Sequence, residues 1–67
     1  MMHLHLTNKK EKELIRLRLQ GKSYKEIAFE MGTTEGTVKI WMHHIYKKLG
    51  VHGTAEFLAH PEIVNQR

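Results

Sequence analysis

The chain has 67 residues, no cysteine, and eleven Lys and Arg against seven acidic residues, a formal net charge of +4. This length allows one domain with a small core and leaves no room for a deep substrate pocket. The missing cysteines exclude a disulfide framework and thiolate zinc sites. No apolar run could span a membrane or serve as a signal peptide, so we expect a cytoplasmic location. The basic excess favours a polyanionic partner, usually a nucleic acid, although a solvated basic surface is the alternative.

Glycines and capping residues divide the chain into four predicted helices. Residues 1–7 are expected to form a flexible arm. The first helix, about residues 9–20, begins after a cap at Asn8, to which Glu11 can reach back. Gly21 ends this helix.

The next two helices are separated by a very short turn. The second helix, about residues 24–31, opens on a capping box of Ser23 and Glu26 and closes at Gly32. Thr34 then caps the third helix almost at once. A turn of three or four residues containing glycine is typical of a helix-turn-helix.

The remaining residues predict one long helix and one short helix. The third helix covers about residues 35–49 and is followed by Gly50, and the fourth covers about residues 54–60. Residues 61–67 are expected to form a short tail or turn, in which Pro61 can start one more helical turn. No segment alternates with the period of a strand, so the predicted fold is all-α.

The third helix has two faces of different character. Its core stripe is formed by Val38, Met42, Ile45 and Leu49. The opposite face contains Gly36, Lys39, Ile40, His43, His44 and Lys47. An exposed branched apolar residue and a helical glycine are unusual on a purely solvated face, and both suit a helix that enters a DNA major groove.

Three side chains of this outer face are candidates for reading bases. Ile40 can pack on a thymine methyl group, His43 can bond to a base edge, and Lys39 can reach a guanine edge or a phosphate. The expected function is therefore binding to double-stranded DNA.

Phosphate contacts are expected beside these residues. The hydroxyls of Thr34 and Thr37 lie at the start of the third helix, whose backbone N–H groups attract anions. Lys47 and Lys25 can also reach the DNA backbone. Lys25 opposes the dipole of the second helix, which a phosphate partner would explain.

Three segments of the chain together resemble the DNA-binding domain of LuxR/GerE-type transcription regulators. Residues 21–28 read GKSYKEIA, residues 32–39 read GTTEGTVK, and residues 45–51 read IYKKLGV. The resemblance covers most of the chain and is consistent with a helix-turn-helix domain over residues 8–60.

This resemblance implies a four-helix domain whose third helix enters the major groove. It supports Lys39, Ile40 and His43 as base-reading residues, and Lys25, Thr37 and Lys47 as phosphate contacts. The fourth helix of such regulators commonly forms a homodimer contact, for which Phe57 and Leu58 are the candidates here.

Several positions differ from the usual pattern of these regulators. Trp41 replaces a histidine, and Gly53 with Thr54 replaces an asparagine and a basic residue before the fourth helix, which weakens the start of that helix. Arg18 falls within the apolar stripe of the first helix, so it must pair with a glutamate or extend to solvent. No sensor domain precedes the first helix, so we expect a stand-alone regulator or an excised domain.

Other chemistry finds little support in the sequence. His43 and His44 point about 100° apart on a helix and cannot share a metal, and no Cys or Asp completes a site. No nucleophile–base pair indicates an enzyme, and we expect no cofactor, metal or small-molecule ligand. Because imidazole ordinarily titrates near pH ~6.5, the six histidines predict tighter DNA binding as the pH falls.

The leading hypothesis is a sequence-specific regulator of transcription that binds an inverted repeat as a homodimer. RNA polymerase is a candidate partner, although nothing in the sequence marks a surface for it. The alternative is a small modulator that sequesters a related regulator through the fourth helix. Its interface would contain Phe57, Leu58, Ile63 and Val64.

Overall fold

A computed structural model describes residues 9–65 of the chain, and within them all regular structure is helical. The helices are α1 (Lys9–Leu19), α2 (Tyr24–Met31), α3 (Glu35–Leu49), α4 (Thr54–Ala59) and α5 (Pro61–Val64). The predicted all-α helix-turn-helix fold and its four helices are confirmed, and α5 is an additional short helix. The arm and the cap at Asn8 lie outside the described residues.

The core is formed around α3, which contributes four apolar residues to it. The full set of buried apolar side chains is Leu14, Ile15, Leu17, Ile27, Ala28, Val38, Met42, Ile45, Leu49, Phe57 and Ile63. The stripe predicted for the inner face of α3 is therefore confirmed. Helix α1 packs on both α2 and α3, and α4 packs on α5.

The predicted caps of α2 and α3 are present. The Ser23 hydroxyl accepts a hydrogen bond from the Glu26 backbone N–H at 3.1 Å, and the Glu26 carboxylate accepts from the Ser23 N–H at 2.8 Å. Accepting that backbone bond lowers the pKa of Glu26. The Thr34 hydroxyl caps α3 by accepting from the Thr37 N–H at 3.2 Å. These local bonds fix where both helices begin.

The Glu11 side chain makes a contact with α3 that the sequence did not predict. Its carboxylate is buried, and both of its oxygens accept hydrogen bonds from the Lys48 ammonium, at 2.8 and 2.7 Å. The first turn of α1 is thereby attached to the last turn of α3.

Arg18 uses neither of the two arrangements expected for it. Its guanidinium donates to the Lys22 carbonyl at 2.7 Å and lies 5.0 Å from the ring centre of Tyr24. The Lys22 carbonyl therefore accepts a hydrogen bond from the guanidinium, and no glutamate is needed for that donor. Burial, together with the neighbouring Tyr46 phenol, raises the pKa of Tyr24 to about 12.

The two C-terminal helices begin without the serine or threonine caps found in α2 and α3. Gly53 precedes α4 and offers no side chain to cap it. At α5, Pro61 occupies the first turn, and the His60 ring nitrogen accepts from the Glu62 N–H at 3.1 Å. Both helices are short, so the burial of Phe57 and Ile63 holds them against the rest of the domain.

Candidate nucleic-acid interface

Helices α2 and α3 and the turn between them form the helix-turn-helix. Gly32, at a φ of 68°, closes α2, and the Thr33 N–H donates to the Ala28 carbonyl at 2.9 Å. Thr34 then caps α3 directly. Because the turn is so short, the orientation of α3 relative to α2 is set by their shared core, to which both helices contribute buried residues.

The structure brings the predicted base-reading residues together on one exposed surface of α3. Lys39, Ile40 and His43 are all exposed, and Ile40 keeps 57% of its surface accessible. Together with His44 and Lys47 they line one surface depression. A branched apolar side chain between two ammonium groups suits a partner with negative charge and small apolar groups, and the major groove combines phosphates with thymine methyls.

Gly36 continues this surface toward the start of α3. A Cβ atom placed at Gly36 would meet nothing within 4 Å, so packing inside the domain does not require glycine there. A glycine in a helix nevertheless costs about 1 kcal/mol relative to alanine. The missing side chain leaves room for close approach of another molecule to the α3 backbone.

The hydroxyls of Thr34 and Thr37 are linked at the N-terminus of α3. The Thr34 hydroxyl donates to the Thr37 hydroxyl at 2.9 Å while it accepts from the Thr37 N–H. The Thr34 proton is therefore already used. The Thr37 hydroxyl accepts this bond and keeps its own proton to donate, so it is the better phosphate donor of the two.

The two lysines predicted to contact phosphates lie on different helices. Lys25 is exposed in the first turn of α2, and Lys47 is exposed near the C-terminal end of α3. Both ammonium groups are therefore accessible to a phosphate of bound DNA.

Aromatic contacts connect the outer face of α3 to α4. The rings of His43 and Tyr46 stack with their centres 6.3 Å apart, and the ring centre of Tyr46 lies 5.6 Å from that of Phe57. The Tyr46 phenol also shares a hydrogen bond with the Thr54 hydroxyl, at 3.1 Å. The position of α4 is thus coupled through Tyr46 to a candidate base-reading side chain.

Of the two residues predicted for a dimer contact, Phe57 is 1% exposed and belongs to the core. This burial corrects its expected role, because Phe57 has no surface left to offer another chain. Leu58 is half-buried, and Ala55 and Ala59 beside it are exposed. Their spacing puts Ala55, Leu58 and Ala59 on one side of α4.

The same burial limits the interface of the alternative hypothesis. Ile63 is fully buried with Phe57, so of the four residues named for that interface only Leu58 and Val64 keep accessible surface.

Sequence reasoning missed a second group of residues along the flank of α3. Trp41 receives the Lys10 ammonium over its ring, 4.4 Å from the ring centre. Lys10, Glu11, Trp41, His44 and Lys48 line a groove of about 260 Å³ between α1 and α3. A sequence signal exists, because Trp41, His44 and Lys48 follow one another at helical spacing.

Residues 9–65 also lack two features that would indicate another kind of protein. Among them, no cluster of three or more His or Glu side chains is arranged to hold a metal ion. No helix in that part of the chain has both the length and the apolar character needed to cross a membrane.

A helix-turn-helix that exposes a basic and apolar outer face on its second helix defines the class of DNA-binding domains. The family model described as bacterial regulatory proteins, luxR family, matches residues 5–60. The chain belongs to this family, and the resemblance drawn from its motifs is confirmed.

Two curated relatives agree with this assignment. The chain is 40% identical to the probable HTH-type transcriptional regulator GfsR of Streptomyces halstedii, over 76% of this chain and 23% of that protein. It is 41% identical to the transcriptional activator protein ExpR of Dickeya dadantii, over 69% of this chain and 18% of that protein. The chain thus spans about a fifth of the length of these relatives. No solved structure matches it significantly.

Proposed function

We propose that this domain regulates transcription by binding specific double-stranded DNA sequences, with the outer face of α3 in the major groove. The observation that carries the proposal is the exposure of Ile40 between Lys39 and Lys47, on the face of α3 opposite the side that packs in the core. Membership of the luxR family supports DNA binding and transcription regulation as the general function.

Base reading is assigned to Lys39, Ile40 and His43. The lysine bonds to a guanine edge, the isoleucine packs on a thymine methyl, and the imidazole bonds to a base edge. Their common exposed surface supports this assignment, because all three can meet one stretch of groove.

The DNA backbone is contacted by Lys25, Thr37 and Lys47, and by the free N–H groups at the start of α3. Thr34 contributes indirectly, because its hydroxyl donates to Thr37 and so orients that hydroxyl toward a phosphate. Lys25 and Thr37 lie at the first turns of α2 and α3, where the helix dipoles also favour an anion.

The functional unit is a homodimer on an inverted repeat. Two copies would place their α3 helices about 34–36 Å apart, one turn of DNA. The contact uses α4 through Leu58, Ala55 and Ala59, where the two alanines allow close approach of two helices. RNA polymerase is a further candidate partner, by analogy with the relative described as a transcriptional activator.

The first test is whether the purified protein binds a mixed-sequence duplex of roughly 20 base pairs with an affinity that falls as salt rises. Selection of bound sites from random DNA then gives the operator. A symmetric selected site and concentration-dependent sedimentation would support the homodimer, and an asymmetric site bound by one copy would contradict it.

Lys39→Ala tests the base-reading face. We expect it to weaken binding to the selected site by about 1–3 kcal/mol and to relax the preference at the base pair that Lys39 contacts. Lys12→Ala is the matched control, because Lys12 is an exposed lysine on α1 and its removal changes the net charge equally. If Lys39→Ala bound the selected site as tightly as Lys12→Ala, α3 would not be the reading helix.

A further inference from the structure

Tyr46 of α3 carries a further inference, which rests on the proposed base reading by His43. Residues three apart on a helix are neighbours on its surface, so Tyr46 lies beside His43. His43 is exposed, whereas Tyr46 is half-buried. Tyr46 therefore stands between the outer face of α3 and the interior of the domain.

The Tyr46 side chain is held from two other helices. Its ring centre lies 5.6 Å from that of the buried Phe57 ring of α4, at an interplanar angle of 55°. Its phenol oxygen shares a hydrogen bond of 3.1 Å with the hydroxyl of Thr54, the first residue of α4. The Tyr24 phenol of α2 is a further neighbour of the Tyr46 phenol. These contacts give the Tyr46 ring a defined position.

The His43 ring has a much more open environment. It stacks on the Tyr46 ring, with the two centres 6.3 Å apart and the planes at 30° to each other. Among residues 9–65 this stack is the only hydrogen-bond, ion-pair or ring contact of the His43 side chain. Both imidazole nitrogens are therefore available to a base edge, and the Tyr46 ring is the fixed surface beside them.

This arrangement matters because a hydrogen bond to a base edge requires a donor or acceptor in a defined direction. An exposed side chain that occupies several rotamers loses part of its binding energy when one of them is selected. Stacking on a fixed ring reduces the number of His43 orientations before DNA is bound. Lys39 and Lys47, the neighbours of His43 one turn away on the outer face, have flexible side chains and cannot supply such a surface.

We propose that Tyr46 is a positioning residue that sets the orientation of the His43 imidazole, and thereby the base preference at the base pair that His43 contacts. Tyr46 does not have to touch DNA in this role. Its ring supplies the stacking surface, and its contacts with Phe57 and Thr54 hold that ring in place. Base preference at this pair then depends on a residue outside the reading face.

The test measures base preference at individual positions, because a general loss of stability would not change one position selectively. Binding to the selected site is compared with binding to duplexes that carry each of the other three base pairs at one position. His43→Ala identifies the base pair that His43 contacts, where we expect it to lose about five- to tenfold of the discrimination. Lys39→Ala identifies the base pair that Lys39 contacts in the same way.

Tyr46→Leu removes the stacking ring and keeps an apolar side chain. We expect it to lose about three- to fivefold of the discrimination at the His43 base pair and to keep the discrimination at the Lys39 base pair. The double variant of His43→Ala and Tyr46→Leu should lose no more at the His43 base pair than His43→Ala alone, because Tyr46 acts there through His43.

Two further substitutions serve as controls. Tyr46→Phe keeps the ring that stacks on His43 and packs on Phe57, so it should keep the wild-type preference at the His43 base pair. Trp41→Leu removes a half-buried aromatic ring from the opposite flank of α3 and should keep this preference as well. Thermal unfolding checks that each variant is folded under the binding conditions.

Unchanged discrimination in Tyr46→Leu at the His43 base pair would overturn the inference and leave the proposed function intact. An equal loss in Tyr46→Phe or Trp41→Leu, or an equal loss at the Lys39 base pair, would also overturn it, because stacking on His43 would not explain such a pattern. If His43→Ala lost no discrimination at any position, the inference would fail together with the base-reading role of His43.

A measurement on the wild type decides the matter even if Tyr46→Leu does not fold. Nuclear Overhauser contacts between the ring protons of His43 and Tyr46 should be present in the free protein and in its complex with the selected site. Their absence from the complex would overturn the inference. A wild-type protein that binds no DNA would overturn the proposed function as well.

Discussion

The helix-turn-helix of α2 and α3 and the C-terminal pair of α4 and α5 are held in different ways. In α2 the cap is a reciprocal pair of bonds between Ser23 and Glu26, and in α3 it is the Thr34 hydroxyl. Helix α4 follows Gly53 without a side-chain cap. It depends instead on the buried Phe57 ring. Helix α5 is capped by His60 and also buries Ile63 in the core.

This difference bears on the proposed function of each part. Local caps specify the starts of α2 and α3 from neighbouring residues, so where these two helices begin does not depend on distant contacts. The C-terminal pair is specified by burial, so its position follows the core. The surface proposed for dimerisation therefore lies on α4, the helix that has no side-chain cap.

The largest expected effect comes from Phe57→Ala, which tests the dependence of α4 on burial. Replacing a fully buried phenylalanine with alanine costs about 3–5 kcal/mol of stability. A core in a domain of this size rarely supplies more than about 3–5 kcal/mol in total. We expect the variant to be largely unfolded, as measured by circular dichroism in a urea titration.

Leu58→Ala is the matched control, since Leu58 is the adjacent residue and only half-buried. Its loss of stability should be less than half as large. Equal losses in the two variants would contradict the view that the buried Phe57 ring contributes most to holding α4 against the core.

A smaller effect is expected from pH, and it tests the local cap of α2. The Glu26 pKa is lowered because the carboxylate accepts the Ser23 backbone N–H. A group with a lowered pKa in the folded state stabilises the fold above its unfolded pKa, and this contribution is lost as the pH falls through the folded value. Stability should therefore decrease below about pH 4.5, the ordinary pKa of this group.

Glu26→Gln isolates this contribution, because glutamine can still accept the bond but does not titrate. The variant should lose less stability than the wild type between neutral pH and acid pH, as measured by urea unfolding at each pH. Glu35→Gln is the control, since Glu35 is also exposed in the first turn of a helix, α3, and its carboxylate takes no part in the cap of that helix. If Glu26→Gln kept the full acid sensitivity, the capping box would not be its source.

The same contrast explains which features the sequence could predict. Ser23 and Glu26 are three residues apart, and the core stripe of α3 repeats over about three turns, so local spacing was enough to find both. The contact between Glu11 and Lys48 joins residues 37 positions apart, which no local pattern encodes. A polar interaction at this distance is visible only when the fold brings its partners together.

The candidate site also contains features that local spacing could predict and features that it could not. The outer face of α3 could be predicted, because fifteen residues of one helix define an inner and an outer side. Helix α4 has only six residues, fewer than two turns, so its periodicity does not separate a core residue from a surface residue. For this reason Phe57 was assigned to an interface although it lies in the core.

The smallest expected effect is a gain of stability from Gly53→Ser, which would supply the cap that α4 lacks. Gly53 has a φ of 178°, extended backbone that serine can adopt, and a Cβ atom there would meet nothing within 4 Å. A serine hydroxyl can accept an N–H from the first turn of α4, and the substitution also reduces the freedom of the unfolded chain. We expect about 0.5 kcal/mol of stabilisation, which raises the melting temperature by roughly 2–4 °C.

Gly50→Ser is the matched control for this change. Gly50 ends α3 in the left-handed region, with a φ of 71°, where a side chain costs about 1–2 kcal/mol. The same substitution should therefore raise the melting temperature at position 53 and lower it at position 50. A fall at both positions would mean that α4 gains nothing from a local cap. The contrast between a locally capped helix-turn-helix and an α4 helix that lacks such a cap would then not account for the stability of the domain.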